Sequence, residues 1–335
     1  MADYKAIKGH TIQTVAGDPG TIVDGLIWYD SVARTIQGSK TAAGAWASGG
    51  NLNTARRTPG GTGNGTQTAF SIFGGTAPPS PNYPTEHEQY DGSSWTEAAD
   101  INTARYECKC GAGTQAAALY AGGVAAPGRI GNSEEWDNSS WAEGPDINTN
   151  AAASASAGTQ TAALGIAGSN YPTLEDAVES YNGTSWSEIA DINNGRYYVK
   201  GNGTQTAALI SGGASFSPVP DGTHYDKTET WDGTSWTEGA SLNVARAYDM
   251  AAFGTSTSAI HAGGDSGPGN RALSEEWDGS SWTEVGDLST AIRYAASSGA
   301  TTSALGLQMF GYTSAKTATV QEWTQASAAV TFTSS

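Results

Sequence analysis

The sequence predicts an all-β repeat fold, a β-propeller, on three observations. A cassette recurs six times, reading roughly N-x-A-R, a short apolar run, G-T-Q-T-A-A-L, a glycine pair, a variable stretch, then E-x-[WY]-[DN]-G-[ST]-S-W. Its tryptophans (Trp46, Trp95, Trp141, Trp186, Trp236, Trp282) are 49, 46, 45, 50 and 46 residues apart. A period in the forties with glycine pairs and one tryptophan per unit is the signature of a propeller array. Second, glycine makes up 44 of 335 residues while charged residues are only 15%. Without a collagen period, this suits a chain dense in tight turns. Third, no helical period extends over a useful length. One such unit cannot bury its faces alone, so the six copies imply one large domain.

The second copy justifies the elements in order. Residues 105–110 alternate in strand fashion and end at Gly111-Ala112-Gly113, and Thr114-Gln115 supplies a turn. Residues 116–121 form a short apolar run bounded by Gly122-Gly123, as in a strand buried on both faces. After a Pro/Gly-rich loop, residues 133–136 read as a third strand. Asp137-Asn138 then turns the chain into a fourth strand that opens at Trp141. Sister copies place Asp91-Gly92, Asn182-Gly183, Asp232-Gly233 and Asp278-Gly279 at this turn, residues that tolerate the positive φ of a hairpin. Each cassette is therefore expected to be a four-stranded antiparallel meander. A buried tryptophan removes about 150–250 Å² from water, worth at most roughly 4–6 kcal/mol, and its repetition assigns it to packing.

These residues resemble the kelch repeat of galactose-oxidase-type propellers. The resemblance rests on Gly74-Gly75, Gly122-Gly123, Gly212-Gly213 and Gly263-Gly264. Each pair precedes an aromatic (Tyr90, Trp136, Trp231, Trp277) and, five residues later, a tryptophan. Gly168-Ser169 and Phe310-Gly311 are degenerate copies, and the likeness covers about residues 43 to 323. It implies a six-bladed propeller. The last copy lacks a G-[ST]-S-W strand after Trp323, so the strand around Trp46 is expected to close the ring and remove its edges. The resemblance implies no particular activity.

Composition excludes several functions. With 33 acidic against 16 basic residues, the net charge of −17 argues against nucleic acid, which needs clustered Lys and Arg. Cys108 and Cys110, an i, i+2 pair inside an expected strand, cannot close a sensible disulfide, and two ligands do not make a metal site. His10, His87, His224 and His261 occupy different cassette positions without ligand spacing. No cofactor or metal is therefore expected. The first residues show no secretory signal, and no apolar stretch is long enough for a membrane span. The D-G-[ST]-S-W turn resembles the Asp-box of sialidase propellers, but there too it looks structural. Glu97, Glu143, Glu188, Glu238 and Glu284 each follow a recurrent tryptophan by two residues. They are expected to be widely separated rim charges, not the close pair that glycoside hydrolysis needs. Sequons at Asn64, Asn138, Asn182 and Asn202 are explained by turn chemistry. No catalytic residue is assigned.

Two candidate binding features remain. Arg56, Arg105, Arg196 and Arg246 lie ten residues after a recurrent tryptophan and Arg293 lies eleven after one, while the third copy has Ala151. Near the axis these arginines would either bond carbonyls between blades or form a guanidinium ring for a carboxylate or sulfate. The loops 76–85, 124–132, 169–177, 214–227, 265–273 and 312–318 differ in every copy, whereas the other turns barely change. Variable loops on rigid supports build binding surfaces, so Tyr83, Arg129, Tyr171, Phe216, His224, Tyr225, Asp265 and Arg271 are the candidate ligand residues.

Residues 1–40 stand outside the repeat. Their MADYKAIKG opening and G-L-I-W-Y-D-S…T-I-Q-G stretch resemble modules of marine-phage (cyanophage) tail-fibre and other virion proteins. That resemblance implies an attachment module (1–40) joining other virion proteins, a propeller (41–323) and a C-terminal tail (324–335). The expected function is a non-enzymatic virion protein, on a tail fibre or head surface, that adheres to a host-surface receptor or glycan without entering a membrane. Homo-oligomerisation is left open. The alternatives are an intracellular kelch scaffold for a protein partner and a carbohydrate-active enzyme.

Overall fold

The computed structural model describes residues 12–17, 19, 26–79, 82–216, 223–267, 269–298 and 302–331. Regular structure among the described residues is entirely strand. The chain divides into two compact units, one of residues 1–44 with 325–335 and one of residues 45–324.

The larger unit holds six four-stranded sheets. The second sheet runs Cys110–Thr114, Ala117–Ala121, Ser133–Trp136, Trp141–Gly144, each strand antiparallel to the next. First strands of the others are Gly60–Gly61, Ala155–Thr159, Lys200–Thr204, Ala251–Thr255 and Ala296–Ser297. These lie side by side in chain order, and Ala296–Ser297 also neighbours Gly60–Gly61. The sheet begun by Ala296–Ser297 takes its fourth strand from the other end of the unit. There Ala45–Ser48 pairs with Lys316–Thr324, and Trp46 sits opposite Trp323.

The constant cassette residues explain this regularity. Trp95, Trp141, Trp186, Trp236 and Trp282 are all buried, and the indole N–H donates to Gly50 O from Trp95 and to Ala190 O from Trp236. The glutamine of G-T-Q-T bonds the preceding sheet. Gln115 Nε2 donates to Tyr90 O at 2.8 Å, Gln160 Nε2 to Trp136 O at 2.7 Å, and Gln67 Nε2 to Trp323 O at 3.1 Å. Each bond satisfies a carbonyl in the neighbouring sheet. In the outer turns, Asp91, Asp137, Asp232 and Asp278 each accept two backbone N–H bonds through Oδ1, and Asn182 does the same. The next residue is Gly at φ 88–96° or Asn138 at 74°.

Three expectations need correction. The strand expected at 105–110 begins only at Cys110, because Glu107 has a φ of 52° and breaks the extended chain; Cys108 therefore lies outside the strand. The degenerate glycine pair of the third copy is Ala167-Gly168 (φ 60° and 111°), one residue earlier than Gly168-Ser169. Finally, the described part of the expected tail, residues 324–331, is not separate: Thr324 ends the Lys316–Thr324 strand. Ser327–Thr331 pairs antiparallel with Thr35–Thr41 in the smaller unit.

In that smaller unit, Ile27–Asp30 lies between Gln13–Val15, parallel to it, and Thr35–Thr41, antiparallel to it. The carboxylate of Asp30 organises the turn of the W-Y-D-S stretch by accepting N–H bonds from Val32 (2.8 Å), Ala33 and Gly17. The MADYKAIKG opening lies outside the described residues.

Candidate functional site

The arginines do not form a ligand-binding ring. Arg56, Arg105, Arg196 and Arg246 are completely buried, and each pairs with the glutamate that opens E-x-[WY]: Glu88, Glu134 (2.9 Å), Glu229 (2.7 Å) and Glu275 (2.7 Å). The same glutamates accept the backbone N–H of the cassette asparagine, for example Asn193 and Asn243. Burial disfavours charge, so such groups persist where a partner and hydrogen bonds compensate. The exceptions obey that rule. In the third copy Ala151 replaces the arginine, and Lys109 reaches Glu179 at 2.8 Å instead. In the sixth copy Gln321 replaces the glutamate, and buried Ile292 holds the arginine position, ten residues after Trp282. Arg293, one residue on, is therefore not a fifth member. It pairs with Asp265 and is partly exposed.

The residue twelve positions after each tryptophan marks the site. Thr58, Glu107, Ala153, Tyr198, Tyr248 and Tyr294 all have φ between 51° and 63°. Their backbones form a necklace of N–H···O=C bonds: Glu107 to Thr58, Ala153 to Glu107, Tyr198 to Ala153, Tyr294 to Tyr248 and Thr58 to Tyr294, at 2.7–3.2 Å. Tyr198 and Tyr248 complete the circuit by ring packing at 4.9 Å. Holding six non-glycine residues in the left-handed region is unfavourable locally, and it brings their side chains together. Tyr294 packs on Tyr198 at 5.4 Å and on Tyr248 at 5.5 Å, and the Tyr198 hydroxyl donates to Glu107 Oε1 at 2.5 Å.

Desolvation raises Glu107 to about 7, against the Tyr198 hydrogen bond, with Asp249 also raising it and Arg129 and Arg57 lowering it. Burial likewise raises Asp249, which Lys200 opposes from 3.4 Å. The residues following the necklace line a cavity of about 60 Å³ bordered by Gly61, Cys108, Ser154, Lys200, Ala252 and Ser297, one from each copy of the cassette. That space suits a few waters and is too small for a sugar ring.

The variable loops frame the mouth of this cavity. Tyr171, 69% exposed, meets Phe216 edge-on at 5.3 Å, and Phe216 packs on Tyr197 at 4.6 Å. Tyr83 stacks on Tyr106 at 4.8 Å. Arg129 bonds Ser169 Oγ, joining two loops. His224 packs against Tyr248 and approaches buried Asp265 at 3.6 Å. Two candidates are tied to the scaffold by their backbones. Tyr225 donates its N–H to Gly213 and accepts from Arg246 N; Arg271 donates its N–H to Gly264, and its side chain bonds Ser266 Oγ. The structure adds residues that the sequence reading missed: Arg57, whose guanidinium lies over Tyr294 and Tyr312 at 5.3 and 5.5 Å, together with Lys316 and the necklace itself. The necklace position varies inside an otherwise constant cassette, and that is the signal that could have revealed it.

No protein-family model matches the chain, and no curated protein matches it in sequence. Among solved structures, that of YjhT superposes with a TM-score of 0.66 over 83% of this chain and 99% of its own, at 14% identity. At that identity the likeness bears on architecture alone, and it agrees with the four-stranded antiparallel sheets in making this chain an all-β, propeller-like protein.

Proposed function

We propose that the chain is a non-catalytic adhesion protein of a bacteriophage particle: a kelch-type, six-bladed propeller closed by the Trp46 strand, with its variable-loop face turned to a host-surface ligand. One observation carries the binding reading. The loops that differ in every copy surround a stretch of the cassette, eleven to thirteen residues after each tryptophan, that also varies, and there they present partly exposed tyrosines, Phe216 and arginines. Aromatic rings offer large contact area for little conformational entropy. The rest of each cassette is occupied by packing, turn capping and buried ion pairing, which leaves it no free chemistry. The six parallel sets of contacts, the Gln67 bond to Trp323 O and the Trp46–Trp323 pairing support six blades and closure. The virion assignment rests on the resemblance of residues 1–40, with the smaller unit as the anchor.

Exchanging segments 76–85 and 214–227 is expected to abolish binding to the host surface while the melting temperature holds within a few degrees; unchanged binding overturns the face assignment. Deleting residues 1–40 is expected to abolish incorporation into assembled particles. Parental incorporation by a truncated chain that melts like the parent refutes the virion reading.

A further inference from the structure

The geometry points to an acidic polysaccharide, bearing uronate carboxylates or sulfate esters, as the ligand of the loop face; this rests on the proposed binding role of that face. Positive charge is scarce in this strongly negative protein. Residues 45–324 contain twelve Lys and Arg. Eight of them pair with carboxylates: Arg56, Arg105, Lys109, Arg196, Lys200, Lys227, Arg246 and Arg293. The other four are Arg57, Arg129, Arg271 and Lys316, and among the described residues their side chains bond neutral oxygens only: Thr76 Oγ1, Ser169 Oγ, Ser266 Oγ and Ala77 O. All four stand on the variable loops or on the connections beside them. Elsewhere in the unit each cation is spent on an internal partner, and the uncommitted ones gather on one face.

Two of the four converge. Arg57 Nε donates to Thr76 Oγ1 and Lys316 Nζ to the carbonyl of the next residue, Ala77, and the charge of Arg57 adds to desolvation in holding the Lys316 ammonium below the usual lysine range. Arg57 lies over the rings of Tyr294 and Tyr312, which Arg293 also overhangs at 5.4 and 5.5 Å. Crowding like charges is unfavourable unless an anion joins them. A guanidinium presents a planar fork to a carboxylate or sulfate, and the adjoining rings offer apolar faces to a sugar. An acidic saccharide offers both an anionic group to the guanidinium and an apolar face to the rings, whereas polyglutamate offers only the first.

The test measures binding of the full chain to alginate, dextran sulfate, neutral dextran and polyglutamate, by calorimetry at low and high salt. Alginate or dextran sulfate, or both, is expected to bind, with salt weakening the interaction, while dextran and polyglutamate bind at least about tenfold more weakly. R57Q/K316Q is expected to weaken the anionic glycan about tenfold or more. R34Q, which removes one exposed cation of the smaller unit, should leave it nearly unchanged. The relative affinities of alginate and dextran sulfate tell which anionic group is read. Failure of both, equal binding of polyglutamate, or equal losses in R57Q/K316Q and R34Q overturns the inference. If dextran binds as well and Y171A/F216A alone abolishes that binding, the anionic ligand is wrong while the loop face stands. If neither variant pair alters the binding of any glycan that binds, the loop face falls with it.

Discussion

Replacing Glu107 by glutamine isolates a carboxyl of the mouth that burial raises to about 7. The Tyr198 hydroxyl can still donate to the amide oxygen, so the change removes a charge and keeps the bond. Burial, helped by Asp249, raises Glu107 from an ordinary 4.5 to about 7. A carboxyl that holds its proton more tightly when folded stabilises the protein fully below the unfolded value, and this contribution is lost as pH rises through the folded one. At ~1.4 kcal/mol per decade of proton affinity, the ceiling is about 3 kcal/mol between pH 4.5 and 8; the partial exposure of Glu107 lowers it. Urea denaturation followed by tryptophan fluorescence, on parent and E107Q at half-unit steps from pH 4.5 to 8, gives the difference directly. Residues common to both proteins cancel to first order. The stability of the parent relative to E107Q should fall by roughly 1–3 kcal/mol across that range. A difference constant within about 0.5 kcal/mol refutes the claim that the mouth holds a protonated carboxyl.

Three further outcomes are expected. In a double-mutant cycle on Arg246 and Glu275, R246M leaves a buried carboxylate unpaired and should cost about 3–5 kcal/mol; adding E275Q should recover at least ~2 kcal/mol, while the partly exposed Arg293–Asp265 pair should couple by no more than about 1 kcal/mol. His261, buried between Ser211 Oγ and Asn202 Oδ1, is pushed down to about 3 by burial and then by Arg246 and Lys200. Its contribution is present above 6.5 and lost as pH falls, so H261Q, copying Gln308 of the sixth sheet, should lose less stability than the parent between pH 6.5 and 4. G113A places a Cβ 2.1 Å from Ala117 O at a φ of +96° and should cost more than about 1 kcal/mol in chemical denaturation, whereas G128A, with open space around it, should stay within about 0.5 kcal/mol.

What the sequence alone determined was local and periodic: the number of cassettes, the Asp-Gly turns, the buried character of five recurrent tryptophans (Trp46 is only partly buried), and the loops free to differ. Turn chemistry and strand alternation act over a few residues, so one copy suffices to read them and six copies repeat the answer. The mouth was not legible in this way. Its side chains come one from each copy, some 46 residues apart, and they meet only because a left-handed residue ends each connection and turns toward the others. The arginines show the same limit. Arg246 and Arg293 stand in similar motifs, yet a one-residue offset buries the first against Glu275 and leaves the second at the mouth with Asp265. Direction and burial follow from how the sheets pack together, and charge acquires its role from that burial. Tertiary packing alone therefore separated the cations that hold the scaffold from the four half-exposed ones that form no ion pair among the described residues.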